Sequence, residues 1–373
     1  MGFHRFTTNE YSDLEKQHNI LAIVGNGFDI QAARAFGRET DTRYENFYDF
    51  LKRRSFDPGN LILQEMESAR TRGLEDWSDL EAAISARLDR EPSRSSHLTG
   101  ALRALQLEFS HFLAEVAEPD LLHALGQAAM ENKWGVRSLS KFAGDVPVGA
   151  GLPEFQFPAR TKYYDLLNFF FVNLNYTPLL DGYVFLDQGQ FDPHPHKWAD
   201  RNFQFYPSPN RFREGVGNEQ TSWSSYVLTE VVHPHGYQGV PRSLLFGVDS
   251  AGASRRARDA RRDLEKPFWA QSEIRYSHLI MDADLFIVFG ASLGVTDRWW
   301  WGQMARSLEA SEQSELIIYQ YQPKGGDFNP SSVRRRFFDS AGVDAECARR
   351  IETRIHVVFH SEACPQVWLG MHT

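Results

Sequence analysis

Five consecutive apolar residues, Ile20-Leu21-Ala22-Ile23-Val24, run without a polar break into Gly25-Asn26-Gly27-Phe28-Asp29 and then into Ile30 to Ala35. No other feature restricts the fold as strongly. A strand with no polar face must be covered on both sides, which is the position of a central strand in a parallel sheet layered by helices. The glycines at its end permit a tight turn, and they let backbone N–H groups approach a pyrophosphate at the N-terminus of the next helix. The third glycine of the full dinucleotide fingerprint is absent at its usual spacing, so the fragment alone fits a plain strand-to-helix turn equally well.

Comparable runs recur at Phe169 to Leu174, Leu244 to Phe246, Leu285 to Phe289, Leu316 to Tyr319 and Ile355 to Phe359. Their length and their β-branched and aromatic content suit buried strands. Together they predict an α/β fold on a Rossmann-like parallel sheet of about five or six strands. Between the first two strands, roughly Tyr44 to Lys162, the pattern is helical. Leu102, Leu105, Phe109, Phe112, Leu113 and Val116 keep a 3.6-residue period, and Leu80, Ile84 and Leu88 form a second stripe. We therefore expect a leader at 1–19, a nucleotide-binding domain at 20–43 and 163–373, and an inserted helical subdomain at 44–162. The insert should end in the loop Gly144 to Pro158, dense in Gly and Pro.

Pro178 to Ser225 has no clear period and reads as an irregular excursion or lid. Ser254 to Lys266 carries Arg255, Arg256, Arg258, Arg261 and Arg262 among acids and reads as a solvated segment. Trp299, Trp300 and Trp301 should begin a packed helix or contribute to a partner surface.

Forty Lys and Arg against 49 Asp and Glu, a formal net charge of -9, argue against whole-surface attraction to nucleic acid or anionic lipid. Cys347 and Cys364 are too few for a disulfide framework or a four-cysteine zinc module, which fits a reducing compartment. No apolar run reaches signal-peptide or membrane-spanning length. The expectation is a cytoplasmic protein without membrane contact. Two His-x-His pairs, His194 with His196 and His233 with His235, lack neighbouring carboxylate or cysteine clusters, so no metal is expected.

Further fragments follow in order at strand ends: Asn173-Leu174-Asn175-Tyr176-Thr177, His233-Pro234-His235-Gly236, Phe246-Gly247-Val248-Asp249, and Phe289-Gly290-Ala291-Ser292-Leu293-Gly294-Val295-Thr296-Asp297. With Gly-Asn-Gly-Phe-Asp at 25–29 and Thr42-Arg43-Tyr44-Glu45-Asn46-Phe47, this set resembles the bacteriophage abortive-infection family AbiH. More distantly it is similar to the sirtuin-like NAD-consuming fold.

The AbiH resemblance implies a role in bacterial anti-phage defence. The sirtuin-like resemblance implies NAD as substrate or ligand, and it covers residues from about 20 to 300. It would place Gly25, Asn26, Gly27, Phe28, Asp29, Tyr176, Gly236, Gly290, Ser292, Leu293 and Asp297 around the dinucleotide, with Asn175 and His235 as the catalytic pair. Three departures matter. Thr177 stands where sirtuin-like NAD hydrolases often carry an aspartate, which removes a contact to the nicotinamide amide. Asn26 replaces a small alanine, and Asp29 replaces a serine or similar residue. The zinc-binding cysteines of the deacetylases are missing, which argues against deacetylation.

Cleaving the nicotinamide–ribose bond passes through an oxocarbenium-like state and needs an oriented ribose and a base for a hydroxyl or a water. His235, with an ordinary imidazole pKa of about 6.5, suits the base, and Asn175 suits holding the water or hydroxyl. Asp29 would repel phosphate, so it is expected on ribose or as a helix cap, and Ser292 on phosphate. Asp249 and Asp297 end strands and are expected on ribose or as caps. Glu81 shares a helical face with Trp77, Ile84 and Leu88, and is expected at an exposed edge or projecting into the cleft under the insert.

The leading expectation is an NAD+ hydrolase that releases nicotinamide and ADP-ribose. Its rival is a non-catalytic NAD or ADP-ribose sensor or interaction module. A nuclease lacks support, since no carboxylate cluster has metal-ligand spacing. Enzymes of the leading kind wait for a trigger, so a homo-oligomer or a partner subunit of a defence system belongs to the expectation.

Overall fold

The computed structural model describes residues 2–74, 77–90, 95–149, 151–192, 203–207, 222–247, 264–323, 326 and 328–372. Strand β1 (Gln17–Val24) turns into helix α1 (Gly27–Ala35). Among the described residues six α-helices follow before the next strand: α2 (Tyr44–Arg53), α3 (Leu61–Thr71), α4 (Leu80–Arg90), α5 (Ser95–Val116), α6 (Pro119–Glu131) and α7 (Trp134–Lys141). Then come β2 (Leu166–Asn173), α8 (Leu179–Val184), β3 (Phe203–Phe205), β4 (Trp223–Val232), α9 (Lys266–Trp269) and α10 (Ser272–Met281). The chain ends with β5 (Leu285–Phe289), α11 (Arg298–Ala310), β6 (Glu315–Tyr321), α12 (Pro330–Ala341), α13 (Ala345–Ile351) and β7 (Ile355–His360).

The strands lie in the order β3-β4-β2-β1-β5-β6-β7, parallel throughout except for the short edge strand β3 on β4. Without β3, the ranks in chain order read 3-2-1-4-5-6, the Rossmann order. The chain builds outward from β1 through β2 to β4, then crosses back to lay β5 on the other side of β1. Ligands in such sheets bind at this reversal, outside the carboxyl ends of the strands.

Alternation along β1 separates two cores. Ile20, Ala22 and Val24 face one layer, with Leu121 and Leu125 of α6 and Leu139 of α7. Leu21 and Ile23 face the other, with Ile280 of α10, Trp301 of α11 and Phe337 of α12. Trp300 and Trp301 therefore do begin a packed helix, both buried.

The expected insert at 44–162 divides in its packing. Helices α2 to α5 form a third core around Phe47, Ile62, Leu80 and Phe109, whereas α6 and α7 belong to the layer that covers the sheet. The third core also takes in Tyr176, Leu244, Phe246 and Leu264 from the sheet side. Phe109 meets Tyr176 and Phe246 edge-on at 5.2 and 5.0 Å, so the helical cluster rests on the carboxyl edge of the sheet.

Five of the six expected strands are present. Leu244 to Phe246 is instead irregular chain, apolar because it fills the third core. Its expected place is taken by β4, and the excursion at Pro178 to Ser225 contains α8, β3 and the start of β4. Strand β1 takes in the last three residues of the expected leader, and His18 there is buried against Asp165 at 2.8 Å. No helix among the described residues is long and apolar enough to cross a membrane. Asp249, His194, His196 and the arginines at 255–262 lie outside the described residues.

Candidate functional site

The turns that end β1, β2, β4 and β5 meet at the carboxyl edge because their strands run parallel and adjacent. The first contact is backbone on backbone. Gly25 N–H donates to Phe289 O at 2.9 Å, Gly27 N–H to Gly290 O at 2.8 Å, and Phe28 N–H to Gly25 O at 3.1 Å. A Cβ on Gly27 would lie 2.6 Å from Gly290 Cα, and one on Gly25 would lie 2.8 Å from Ala291 Cα. Gly290 adopts φ +67°, and a Cβ there would sit 2.8 Å from Phe28 N. These glycines let two turns of the same protein touch, and the N–H groups of Gly25, Gly27 and Phe28 are already engaged.

Gly236 is explained in the same way: at φ +102° its Cβ would fall 2.1 Å from Ser243 O. Phe28 is fully buried and lies edge-on to Tyr183 at 5.5 Å, so its side chain belongs to the core. Leu293 is buried too, with a left-handed φ of 55°. Such a conformation is strained for a leucine and is held by its surroundings. Ser292, one position earlier, is exposed at the rim.

Asp29 neither caps α1 nor faces the rim. Its carboxylate accepts the Thr177 hydroxyl at 2.6 Å and Asn175 Nδ2–H at 3.0 Å, all three groups being buried. Asn175 Nδ2 also donates to Gly25 O at 3.1 Å. Both amide protons are thus engaged, and Asn175 clasps the first two turns together where a water-holding role was expected. Burial pushes the Asp29 carboxyl up to about 7, and the donors from Thr177 and Asn175 only partly oppose this. His233, expected only in a weak metal pair, places Nδ1 3.0 Å from Asn175 O and Nε2 3.0 Å from Asp181 Oδ2. Burial pulls this imidazole down, but Asp181 more than offsets it, and the pKa is raised. With an acceptor at each nitrogen, the ring satisfies both contacts only when doubly protonated.

A second cluster lies beside the first. Lys266 Nζ donates to both carboxylate oxygens of Glu81 at 2.8 Å and to Asp297 Oδ1 at 2.9 Å. His235 Nε2 stands 3.6 Å from the same Asp297 oxygen. The Tyr176 hydroxyl donates to Leu245 O at 3.0 Å, and burial followed by the Glu81 charge raises its pKa. Glu81 is therefore buried in an ion pair and is no exposed edge residue. Asp297 holds the N-cap position of α11 without a side-chain cap bond, because Lys266 draws its carboxylate away.

Burial would lower Lys266, but Asp297 and Glu81 raise it and keep it charged. Burial raises Glu81, and Lys266 lowers Asp297 despite burial, so a proton added to the cluster goes to Glu81 first. His235 is only 5% exposed, and burial together with Lys266 drops its pKa to about 3. Its ring is neutral at cell pH and a weak base where it sits.

The helical cluster is tied to the first turn as well. Asn26 Nδ2 donates to Thr42 O at 3.3 Å, and the Thr42 hydroxyl donates to Asn26 Oδ1. Asn26 is thereby turned toward the chain that leads into α2. Among the described residues no group of three or more His, Cys, Asp or Glu could hold a metal ion.

The sequence reading missed Lys266 and Asp181. One signal pointed to Lys266: an acid within an apolar helical stripe, such as Glu81, requires a buried counter-charge. The spacing of the chain could not say which cation supplies it.

A family model for bacteriophage abortive infection AbiH matches residues 21–319, from β1 through most of β6 and across all four turns. The chain belongs to the AbiH family. Its role is accordingly in phage abortive infection. No curated protein matches the chain. The residues at which the AbiH turns meet are those of the two clusters, whereas α12, α13 and β7 lie beyond the matched region.

Proposed function

We propose that this AbiH protein binds an NAD-type dinucleotide outside the carboxyl ends of β1 and β5 and hydrolyses it to nicotinamide and ADP-ribose during abortive infection. One observation carries the reading: turns from four strands, distant in the chain, converge at the strand-order reversal of a Rossmann-type sheet. The exposed Ser292 at the rim suits a phosphate contact. The glycine loop contributes shape more than donors, since its N–H groups at 25, 27 and 28 are engaged internally.

His235 is the imidazole placed to accept a proton, being neutral, with Asp297 3.6 Å away to stabilise the charge it would gain. A pKa of about 3 makes it too weak for that task while Lys266 and the surrounding burial persist. Base catalysis therefore requires a displacement of α9 that takes Lys266 away and lets water reach the ring, which agrees with an enzyme silent until infection. Asn175 acts as a positioning residue, fixing the β2 turn to Gly25 and Asp29.

The test is to incubate the purified chain, and cells before and after phage challenge, with readout of nicotinamide release and NAD+ level. Turnover that disappears in His235→Ala and falls in Asn175→Ala supports hydrolysis. A second reading, a binding module that holds NAD or ADP-ribose without turnover, is favoured by the burial of His235 and the engaged amide of Asn175. Tight binding without nicotinamide release, in infected cells as well, would select it.

A further inference from the structure

We propose that Arg43 is an anion-binding residue at the rim of the carboxyl-edge crevice, taking the phosphate or diphosphate of the ligand; the proposal rests on the dinucleotide reading for its ligand and deepens it. The need for such a group follows from the turns themselves. The N–H groups of Gly25, Gly27 and Phe28 are bonded within the protein, so these three are not offered to a diphosphate. The neighbouring side chains add negative charge, with Asp181 and Asp297 at this edge. A doubly charged anion held there needs a cation nearby.

Of three other cations at this edge, two are engaged and the third lies against the end of α12. Lys266 is buried and holds Glu81 and Asp297. His233 holds Asp181 and Asn175 O. Arg298 turns its guanidinium to Gly342 at the end of α12. Arg43 differs from all three. Its Nε–H donates to Asp41 Oδ1 at 2.8 Å, and its backbone N–H donates to the same oxygen at 3.1 Å. Asp41 is itself buried and fixed by Asn46 Nδ2–H at 2.7 Å. The Nε edge of the guanidinium is thus anchored, while 47% of the side chain remains exposed.

Its location is set by Thr42, the preceding residue, which bonds twice to Asn26 of the glycine turn. A planar fork oriented by a buried carboxylate beside the glycine turn is an arrangement that recognises a phosphate bidentately. A pair that served only to brace the start of α2 would behave differently from this site in one respect. Its loss would lower the stability of the free protein and leave anion binding alone.

The experiment measures binding of inorganic pyrophosphate, ADP-ribose and adenosine by calorimetry, together with the melting temperature of the free protein. In Arg43→Ala the affinity for pyrophosphate and ADP-ribose should fall about tenfold or more while any adenosine binding stays close to wild type, the melting temperature showing that the variant is folded despite the lost partner of Asp41. Arg43→Lys should recover part of the loss, since it restores charge without the fork. Wild-type pyrophosphate affinity in Arg43→Ala, or no pyrophosphate binding by the wild type, overturns the proposal. Pyrophosphate binding that depends on Arg43 without any binding of ADP-ribose upholds the anion site and removes the dinucleotide reading instead.

Discussion

Lys266 and Glu81 stand 185 positions apart, yet Lys266 Nζ lies 2.8 Å from each Glu81 carboxylate oxygen and so fastens α9 of the sheet side to α4 of the helical cluster. Both groups are almost wholly buried. A buried pair adds little net stability compared with apolar residues of the same size, but removing one partner leaves the other charge stranded. Lys266→Met should therefore destabilise the protein by about 3–5 kcal/mol, since it strands both Glu81 and Asp297. The double variant Lys266→Met, Glu81→Leu should lose clearly less than the two single losses combined. Urea unfolding of the four proteins checks this, and simple additivity would show that the pair is not coupled.

The glycines at the β1 and β5 turns make a sharper contrast. Gly290 combines a left-handed backbone with contact to Phe28 N, so Gly290→Ala forces both a strained φ and a backbone shift. Left-handed geometry costs an alanine roughly 1–2 kcal/mol, and overpacking adds roughly 1–3 kcal/mol. Gly294 has an ordinary φ of -74°, and a Cβ there would first meet the movable Ser292 hydroxyl at 3.2 Å. Gly294→Ala should change stability little. Equal melting temperatures for the two variants would contradict the close approach of these turns.

The sheet was legible where burial on both faces left no polar residue, as in Ile20 to Val24 and Leu285 to Phe289. It was illegible at β4, whose outer half, Leu228 to Val232, is only partly covered and carries Thr229 and Glu230. Leu244 to Phe246 has strand composition for another reason, since it packs under α5, and no local pattern separates the two causes. The same holds for the site. The order of the four turns was visible, because each sits at the end of an apolar run. Which groups they would present was not, because Asn175, Asp29 and His235 take their partners from segments far away in the chain.

Asp29 should impose a pH dependence on folding. Its folded pKa is raised to about 7 from an ordinary 3.8, so between those values the native state holds a proton that the unfolded chain releases. The stabilising contribution is complete below pH 3.8 and is lost as pH rises toward 7. The span corresponds to on the order of 4 kcal/mol. Asp29→Asn keeps a neutral side chain of the same shape and should lose less stability than wild type between pH 5 and pH 8, a window chosen at roughly these pKa values. Parallel unfolding curves for the two proteins across that range would show that Asp29 keeps an ordinary pKa.

His235 should act in the opposite direction. Its folded pKa of about 3 lies below the ordinary 6.5, so the unfolded chain binds a proton that the native ring refuses. Stability from this residue is complete above pH 6.5 and declines as pH falls toward 3. Because the slope opposes that of Asp29 over the shared acid range, neither is readable from wild type alone, and His235 must be observed directly. Nitrogen NMR of the imidazole should report a neutral ring at pH 5, and Lys266→Met should raise its pKa by removing the adjacent ammonium. If the ring titrated near 6.5 in the wild type, the imidazole would be open to water in the resting protein, and the displacement of α9 required for catalysis would have no basis.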